Sequence, residues 1–288
     1  MQTSIVYING LFWNIENANI SVLDRGFAYG DGIFETMRSY SGNIFRLEQH
    51  LDRLIYSAKS ILVELPITRN ELKLAIYAAI KINCLSNSII RLTVTRGKQE
   101  SGITIDYSLP PTIVILVKPV KEILKKYYEK GVGVKIFKNS AIKIQGISSS
   151  IKSCNYLSNI ILRENALKEN FFEAILTNHK NNITEGTISN VFIVKNNQVI
   201  TPVLNEFILD GIIRRAILDI CLENGICCEE NTILEKDLYE ADEIFITNSK
   251  IEILPVCNIN NFKLKNKCPG PITKNIHALL LKSFVHYS

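Results

Sequence analysis

The stretch Ser148-Ser-Ser-Ile-Lys152-Ser-Cys-Asn-Tyr156 places one lysine between a loop of small residues and the predicted start of an apolar helix. Most lysines are solvated at a protein surface, and Lys152 fits that ordinary interpretation. A lysine that is partly desolvated in a pocket can instead be a neutral amine, and such an amine forms Schiff bases with carbonyl groups. The periodicity of the stretch does not choose between these interpretations.

A second segment, further along the chain, places an acidic residue beside a glycine at the mouth of a strongly apolar hairpin. Its sequence is Ile183-Thr-Glu-Gly-Thr-Ile-Ser-Asn-Val-Phe-Ile-Val194. Glu185 taken alone is a turn residue, as in most proteins. Neither residue alone indicates a function. Each lies in a motif, and the two motifs together are more specific than either one.

Together these segments resemble the class IV pyridoxal-phosphate transaminases of the D-amino-acid and branched-chain type, in which K-S-x-N-Y is followed by T-E-G-x-x-S-N-V-F. The resemblance covers essentially the whole chain, since further motifs of the family occur in the expected order. These motifs are Asp24-Arg-Gly-Phe-Ala-Tyr-Gly-Asp-Gly-Ile-Phe-Glu-Thr-Met-Arg38, Phe45-Arg-Leu-Glu-Gln-His-Leu-Asp-Arg-Leu54, Leu209-Asp-Gly-Ile-Ile-Arg214 and Ala241-Asp-Glu-Ile-Phe-Ile-Thr-Asn-Ser-Lys-Ile-Glu-Ile-Leu-Pro-Val256. Each motif is weak alone, but the set in this order and at these spacings is specific.

The resemblance implies a pyridoxal 5'-phosphate cofactor and assigns three residues to its ring and reactive end. Lys152 would hold the cofactor as a Schiff base and, once released, would move a proton between the substrate Cα and the cofactor C4′. Glu185 would keep the pyridine nitrogen protonated, which makes the ring a better electron sink. Tyr156 would reach the ring oxygen.

The resemblance also assigns a binding site for the cofactor phosphate. Arg53 would bind the phosphate through its guanidinium group, which suits the charge and geometry of a phosphate. Ile212 and Ile213 open a predicted helix, whose free backbone N–H groups form an anion site. Ser249 would add a hydroxyl group to the same phosphate.

Five residues are expected to face the substrate, and four of them favour a branched-chain amino acid. Tyr29, Phe34 and Arg38 resemble the branched-chain pattern, in which an aromatic wall faces an aliphatic side chain. Arg91 stands where branched-chain enzymes hold an arginine near the substrate carboxylates. Thr36 departs from this pattern, because branched-chain enzymes usually carry glycine there and 4-amino-4-deoxychorismate lyases often carry threonine.

The loop that follows the Arg91 strand separates the subfamilies further. D-Amino-acid enzymes place an arginine in this loop with a histidine two residues on, and the corresponding residues here are Ser101 and Ile103. Gly102-Ile103 resembles instead the x-Gly-aliphatic turn of branched-chain enzymes. Lys98 could supply the basic group that the lyases tend to carry in this loop.

These residues predict an aminotransferase that moves the amino group of a branched-chain (aliphatic) L-amino acid to 2-oxoglutarate. The alternatives are a 4-amino-4-deoxychorismate lyase, which gives p-aminobenzoate and pyruvate, and a D-amino-acid aminotransferase. The family further implies an α+β, two-domain enzyme of fold type IV that works as a homodimer. Residues 1–120 would form a small N-terminal α/β domain and residues 121–288 a larger, barrel-like C-terminal domain, with the cofactor between them.

The composition of the 288-residue chain narrows the class of protein independently of the motifs. Hydrophobic residues make up 47% and charged residues 21%, which is typical of a soluble globular protein and not of a disordered one. The net charge of +5 comes from basic residues scattered among acidic ones, so we expect no nucleic-acid partner.

No apolar run is long enough to span a bilayer and no signal peptide is visible, so we expect a cytoplasmic protein without a membrane partner. The seven cysteines and four histidines lack the spacing of a metal site, so we expect free thiols and no metal.

Local patterns predict several structural elements. Asn9-Gly10 and Asn196-Asn197 predict hairpin turns, Thr68 with Glu71 predicts a capping box at a helix start, and Gly225 predicts a helix end. Strands are predicted at residues 32–40, 90–95, 112–117, 132–137, 173–177 and 243–247, and helices at about 47–61, 154–168 and 211–224.

Overall fold

The structure is a computed structural model that describes residues 4–100, 102–121, 123–141, 151–205 and 207–285. The chain divides into two compact units. The first comprises Met1–Lys121, Ile151–Asn155 and Phe284–Ser288, and the second comprises Glu122–Ser150 and Tyr156–Ser283. The predicted boundary between residues 120 and 121 separates two domains that would each fold independently. The division into compact units does not test independent folding, so this boundary stays a prediction.

The first unit is built on an antiparallel sheet that has six strands in the described residues. Its elements are β1 (Ile5–Ile8), β2 (Leu11–Asn14), α1 (Arg25–Tyr29), β3 (Gly32–Tyr40), β4 (Asn43–Ile44), α2 (Leu47–Ser60), α3 (Arg69–Ile82), β5 (Ser88–Thr95) and β6 (Thr112–Pro119). The strand order is β2-β1-β6-β5-β3-β4. Helix α2 packs against β3, and α3 packs against β1 and β6, so each helix buries one apolar face on the sheet.

Strand β3 separates two sets of side chains, because successive residues of a strand point to opposite faces. Ile33, Glu35 and Met37 are buried on the face that α2 covers. Phe34 and Thr36 lie on the other face. The strand spans the residues that the sequence predicts, and its alternation places an acidic residue inside the core and an aromatic residue beside it on the opposite face.

The two predicted hairpin turns are confirmed. Asn9 and Gly10 have φ values of 45° and 92°, and Asn196 and Asn197 have φ values of 50° and 62°. Two successive residues with positive φ form the type of turn whose twist matches that of the flanking strands. Asparagine and glycine adopt this conformation at the least steric cost, which is why the sequence signal is reliable.

The predicted helix ends are confirmed as well. The Thr68 hydroxyl accepts a hydrogen bond from the backbone N–H of Glu71 at 3.3 Å, and the Glu71 carboxylate accepts the backbone N–H of Thr68 at 2.8 Å. At the far end of another helix, Gly225 has a φ of 65°, and the next residue, Ile226, donates its N–H to the carbonyl oxygen of Cys221 at 2.9 Å. This is the hydrogen bond that closes a helix at a left-handed glycine.

The second unit is built on a mixed sheet that has nine strands in the described residues. Its elements are α4 (Lys125–Lys130), β7 (Val132–Phe137), α5 (Leu157–Lys168), β8 (Glu173–Thr177), β9 (Ile183–Gly186), β10 (Asn190–Lys195), β11 (Gln198–Pro202), α6 (Ile212–Glu223), β12 (Cys228–Asn231), α7 (Glu235–Glu240), β13 (Glu243–Asn248), β14 (Glu252–Ile259), β15 (Phe262–Lys263) and α8 (Pro271–Val285). The strand order is β12-β11-β10-β13-β14-β7-β8-β9, and β15 pairs with β14. β8 is buried along its whole length and β10 and β13 along nearly all of theirs, which explains why they are almost continuously apolar.

Helix α5 begins at Leu157, so the expected start near Cys154 is too early. The reason is that the chain before it is extended against β3. The backbone N–H of Phe34 donates to the carbonyl oxygen of Lys152 at 2.9 Å, and the N–H of Cys154 donates to the carbonyl oxygen of Gly32 at 2.8 Å. These bonds between distant segments hold the chain outside the helical region until residue 155.

The last turn of α8 belongs to the first unit. Phe284 is buried, stacks on the ring of Tyr40 with 4.0 Å between ring centroids, and meets the ring of Phe45 edge-on at 4.7 Å. The helix starts with Pro271, and the N–H groups of Ile272 and Thr273 donate to a carboxylate from another element, that of Glu243. No helix within the described residues is long and apolar enough to cross a membrane.

Candidate active site

Lys152 is held in place by its own backbone. The segment around it pairs with the start of β3 through the two hydrogen bonds given above, and Ser153 forms a β-bridge with Ile33. The Lys152 side chain is half-buried, and its Nζ lies 4.7 Å from the centroid of the Phe34 ring. The reactive candidate is therefore fixed at the edge of the first sheet and lies against an aromatic ring.

Four of the expected substrate residues share one face of the β3–β5 ladder. Phe34, Thr36 and Arg38 alternate along β3, and Arg91 of β5 is the direct partner of Thr36 in the antiparallel register. The guanidinium carbon of Arg91 lies 3.8 Å from the centroid of the Phe34 ring, and that of Arg38 lies 4.8 Å from the ring of Tyr40. A positive charge and an aromatic surface thus lie together beside Lys152.

Tyr29, the fifth expected substrate residue, ends helix α1 and is half exposed. The guanidinium carbon of Arg25 lies 4.9 Å from the centroid of its ring. Of the two loop residues that distinguish the D-amino-acid enzymes, Ser101 lies outside the described residues. The other, Ile103, is highly exposed.

Arg53 lies on the opposite face of β3, in a buried ion pair with Glu35. Its Nε donates to one carboxylate oxygen of Glu35 and its Nη2 to the other, both at 2.7 Å. The Nδ1 of His50 lies 2.7 Å from the same carboxylate. This bidentate arrangement fixes the plane of the guanidinium group that the family resemblance assigns to the cofactor phosphate.

The electrostatics of this cluster follow from burial and pairing. Burial would raise the pKa of Glu35, but the charge of Arg53 and hydrogen bonds from Arg53 and His50 outweigh it and lower the pKa to about 2. Burial lowers the pKa of His50, against the opposing effect of Glu35, and the positive charges of Arg53 and Lys152 lower it further. Glu35 is therefore an anion at neutral pH, and His50 favours its neutral form.

Glu185 is held on β9 of the second unit by two neutral donors. Its Oε2 accepts a hydrogen bond from Nδ2 of Asn190 at 3.2 Å and another from the backbone N–H of Leu209 at 3.0 Å. The Asn190 amide also donates to the carbonyl oxygen of Leu209 at 2.8 Å. Asn190 therefore joins the carboxylate to the loop that leads into α6.

The start of α6 is packed tightly against Asn190. A side chain on Gly211, the residue before the helix, would place its Cβ 2.0 Å from Oδ1 of Asn190. Ile212 and Ile213 begin the helix with buried side chains. The N–H groups of a first helical turn have no acceptor within their own helix, so they are available to an anion.

The two remaining cofactor candidates also lie in the second unit. Ser249 is half-buried in the turn between β13 and β14. Thr247 of β13 is the register partner of Asn190, so this turn lies at the edge of the sheet where β10 begins. Tyr156 is half-buried at the residue that precedes α5.

The residues present fit a pyridoxal phosphate group by their chemistry. The carboxylate of Glu185 is held by N–H donors, and a carboxylate is the group that suits a protonated ring nitrogen. In the first unit, Arg53 offers a guanidinium group that suits a phosphate, and Lys152 offers an amine that suits a carbonyl group. In the second unit, the backbone amides of Ile212 and Ile213 suit an anion. Among the described residues, no group of three or more His, Cys, Asp or Glu is placed to hold a metal ion.

Several residues that organise these groups were not singled out from the sequence. Glu35, His50 and Asn190 lie inside motifs of the family, but the motifs do not show which partner each residue contacts. Their roles depend on pairs that are distant along the chain, such as Asn190 with Leu209. A buried acidic residue between two apolar residues of a strand, as in Ile33–Met37, is the signal that could have revealed Glu35.

Comparisons with known proteins identify the family of the chain. Residues 32–259 match the family described as amino-transferase class IV. The chain is 36% identical over 271 residues to a Methanocaldococcus jannaschii protein assigned as a branched-chain-amino-acid aminotransferase, covering 94% of this chain and 93% of that one. It is 34% identical over 280 residues to the D-alanine aminotransferase of Bacillus licheniformis, covering 97% of each.

Solved structures show the same fold. The branched-chain amino acid aminotransferase of Escherichia coli superimposes with a TM-score of 0.94 at 27% identity, covering 100% of this chain and 96% of that one. The enzyme of Thermoproteus uzoniensis, solved with norvaline, gives a TM-score of 0.91 at 28% identity, covering 99% and 96%. The α+β, two-sheet architecture is thus that of the fold type IV aminotransferases, and this prediction is confirmed.

Proposed function

Because the chain belongs to the class IV aminotransferases, which use pyridoxal 5'-phosphate, we propose that it transfers the amino group of a branched-chain L-amino acid to 2-oxoglutarate. The relative from Methanocaldococcus jannaschii and the structural neighbours described above support this choice of substrate. The proposal also includes the roles of the individual residues, which we derive below from their surroundings.

The observation that carries the choice is the shared contact of Lys152 and Arg91 with one aromatic ring. Nζ of Lys152 lies 4.7 Å from the Phe34 ring and the guanidinium of Arg91 lies 3.8 Å from it. An amino acid with an aliphatic side chain needs an apolar surface, a cation for its carboxylate and an amine close to its Cα. Phe34, Arg91 and Lys152 supply these three on one face of the ladder.

Lys152 carries the proton in the proposed mechanism. Its amine takes a proton from the substrate Cα and then gives a proton to C4′ of the cofactor. Lys152 thus acts first as a positioned general base and then as a general acid. When bound, the cofactor supplies an electron-withdrawing ring that accepts the electron pair left at the Cα. The fixed backbone of Lys152 limits the positions that the amine can occupy, which favours a short proton path.

The other residues bind and orient. The Glu185 carboxylate holds a proton at the ring nitrogen, and Tyr156 donates its hydroxyl to the ring oxygen. Arg53, the first-turn amides of α6 and the hydroxyl of Ser249 bind the phosphate. Arg91 and Arg38 provide cations for substrate carboxylates, including the second carboxylate of 2-oxoglutarate.

We further propose a cytoplasmic homodimer. The first unit exposes several large apolar side chains that lie close together along the chain, among them Val22 at 73% and Phe27 at 75% exposure. A second copy of the chain would cover such exposed apolar side chains, and most homo-oligomers are symmetric dimers. Light scattering after size-exclusion chromatography should give twice the mass of the chain, and a monomeric mass would contradict the proposal.

A D-amino-acid aminotransferase is the second candidate, supported by the 34% identity to the D-alanine aminotransferase of Bacillus licheniformis. The exposed Ile103 disfavours it, because a hydrocarbon side chain there cannot help to bind a carboxylate. A 4-amino-4-deoxychorismate lyase is the third candidate. Thr36 favours it, and its register partner Arg91 could bind a substrate carboxylate in that reaction as well.

A substrate panel tests these candidates against one another. Purified enzyme with added pyridoxal phosphate is given 2-oxoglutarate and, in turn, L-leucine, L-isoleucine, L-valine and D-alanine, and glutamate formation is followed. A parallel assay follows p-aminobenzoate release from aminodeoxychorismate. We expect the highest kcat/KM for the branched-chain L-amino acids. Preference for D-alanine, or p-aminobenzoate release without transamination, would identify the second or the third candidate instead.

A further inference from the structure

Helix α1 is fixed on the ends of two strands of the first sheet. The buried carboxylate of Asp24 accepts hydrogen bonds from the backbone N–H of Gly26 at 2.8 Å and from the hydroxyl groups of Thr95 and Thr112 at 2.9 and 2.7 Å. A Cβ on Gly26 would lie only 2.2 Å from the Thr95 side chain, so the helix sits as close to β5 as a backbone can. The position of α1 is thus set by the sheet.

Arg25 reaches from this fixed helix to the loop between β5 and β6. Its Nη1 donates to the carbonyl oxygen of Gly102 at 2.7 Å, and its Nη2 donates to that of Ile103 at 3.3 Å. On the helix side, its guanidinium carbon lies 4.9 Å from the centroid of the Tyr29 ring. One buried guanidinium group therefore touches both the aromatic ring and the turn that the sequence assigns to the substrate side.

The orientation of Arg25 is itself fixed. Its Nε donates to Asp31 at 2.9 Å, and Arg96 donates to the same carboxylate through Nε at 2.7 Å and Nη2 at 3.1 Å. Burial would raise the pKa of Asp31, but the hydrogen bonds and charges of Arg96 and Arg25 outweigh it and lower that pKa. Asp31 stays ionised, so it remains the ion-pair partner of Arg25 and fixes the orientation of the Arg25 guanidinium group.

The loop has a closed base and an exposed tip. Gln99 joins the base by donating to the carbonyl oxygen of Asp106 at 2.9 Å and accepting its N–H at 3.2 Å. At the tip of the loop, Ile103 is 84% exposed. Tyr29, at the end of α1, is 50% exposed. Surface loops that are positioned by a rigid scaffold carry a disproportionate share of the binding residues in proteins.

We propose that Arg25 is a specificity-determining positioning residue, whose guanidinium group holds the Gly102–Ile103 turn and the Tyr29 ring at a fixed spacing. This inference rests on the proposed function, because it takes Tyr29 and Ile103 as contacts for the aliphatic part of the substrate. Arginine suits the role because its planar fork donates to two carbonyl groups and one carboxylate at once, which a lysine cannot reproduce. The spacing then selects among amino acids by the size of the side chain.

The test compares Arg25→Met and Arg25→Lys with Arg69→Met, the same substitution at an arginine of α3 that forms surface ion pairs. We expect Arg25→Met to lower the ratio of kcat/KM for L-leucine to that for L-alanine about tenfold, which is the usual range for discrimination by an apolar pocket. Arg25→Lys should lower it less, and Arg69→Met should leave it unchanged.

A second readout needs no substrate. Hydrogen exchange of the backbone amides of Gly102 and Ile103 should be faster in both Arg25 variants than in the wild type or in Arg69→Met. The proposal requires both a lower ratio and faster exchange, so a result that lacks either one overturns it. If Arg25→Met does not fold, Arg25→Lys decides by the same two criteria. If the wild type rejects branched-chain donors, the proposed function fails, and the exchange comparison still tests the hold of Arg25 on the loop.

Discussion

At the scale of single residues, the chemistry depends on Lys152. We predict that Lys152→Ala reduces transamination below detection, because no other group of the proposed site supplies an amine at that position. The matched control is Lys118→Ala, which removes an exposed lysine of β6. Glutamate formation is measured for both variants, together with the visible absorbance band that a lysine-bound pyridoxal phosphate gives. Retained transamination in Lys152→Ala would defeat the central assignment.

Glu185 tests the electronic part of the proposal. Glu185→Gln keeps the shape of the side chain and removes the charge, so the ring nitrogen loses the group that holds its proton. We predict that kcat falls by about a hundredfold or more, in the range that mutagenesis gives for the loss of one preorganised electrostatic contact. Glu240→Gln, at an exposed residue of α7, is the control. A rate equal to that of the wild type would remove Glu185 from this role.

Sequence motifs identify the candidate residues of the site, and the structure shows which of these residues are neighbours. The motifs single out Lys152 and Arg91, but only the register of β3 with β5 shows that Thr36 and Arg91 are partners and that both share a face with Phe34. Contacts such as that of Arg25 with Ile103 join segments that no local pattern relates. Local periodicity predicts the face of a strand, and it contains no information about the neighbour across that face.

At the scale of elements, the entry to α6 is a tightly packed point of the second unit. Gly211 has a φ of −70°, so alanine there meets no backbone strain, and only the approach of Asn190 opposes it. We predict that Gly211→Ala pushes the Asn190 amide away from Glu185 and weakens pyridoxal phosphate binding about tenfold, as small displacements of positioned groups do. A fluorescence titration of the apoenzyme with the cofactor measures the affinity.

A double-mutant cycle gives this prediction its control. Asn190→Ala removes both the clash and the hydrogen bond, so adding Gly211→Ala to Asn190→Ala should cost almost nothing further. Residues in direct contact are expected to show such non-additivity. If the two substitutions weaken cofactor binding additively, the contact between them does not act as described.

The capping box at α3 is a purely structural element, and its contribution can be separated from catalysis. We predict that Thr68→Ala lowers the free energy of unfolding by about 1 kcal/mol, because the Glu71 N–H loses its acceptor. Thr68→Ser retains the hydroxyl and should stay close to the wild type. Urea denaturation measures the change, and kcat should not move in either variant. A wild-type unfolding profile for Thr68→Ala would show that the cap is not needed.

Elements with local signals were predictable, and elements stabilised from a distance were not. The hairpins at Asn9 and Asn196 and the end of α6 are encoded by residues that sit in the turn itself. The start of α8, in contrast, is capped by Glu243 from β13. The late start of α5 is likewise imposed by pairing with β3. In both cases the position where the helix starts depends on hydrogen bonds with residues that are distant along the chain.

At the scale of the whole molecule, the buried Glu35–Arg53–His50 cluster links stability to pH. Glu35 has its pKa lowered from 4.5 to about 2, so its contribution is complete above pH 4.5 and is lost as pH falls toward 2. The lowered pKa of Glu35 corresponds to a contribution of roughly 3 kcal/mol to the free energy of unfolding. His50 also has a lowered pKa, so its contribution is present above pH 6.5 and is lost as pH falls below that value, where the unfolded chain binds the proton first.

The measurement is the midpoint of thermal unfolding between pH 8 and pH 4. We predict that His50→Gln flattens the decline of the midpoint just below pH 6.5, because the variant has no imidazole to protonate there. His179→Gln, which replaces an exposed histidine, should follow the wild-type curve. Identical slopes for His50→Gln and the wild type would show that His50 makes no contribution in this pH range.

The stacking of Phe284 on Tyr40 has a consequence for the order in which the molecule is made. A ribosome releases the strands of the first sheet early, but the Phe284 ring, which covers Tyr40 and Phe45, is translated only after the strands of the second sheet. The segment that carries Lys152 also joins this sheet only after the first six strands have been synthesised. The nascent chain must therefore keep an unfinished hydrophobic surface on its first unit while the second sheet is synthesised, and the first unit reaches its final packing only after that.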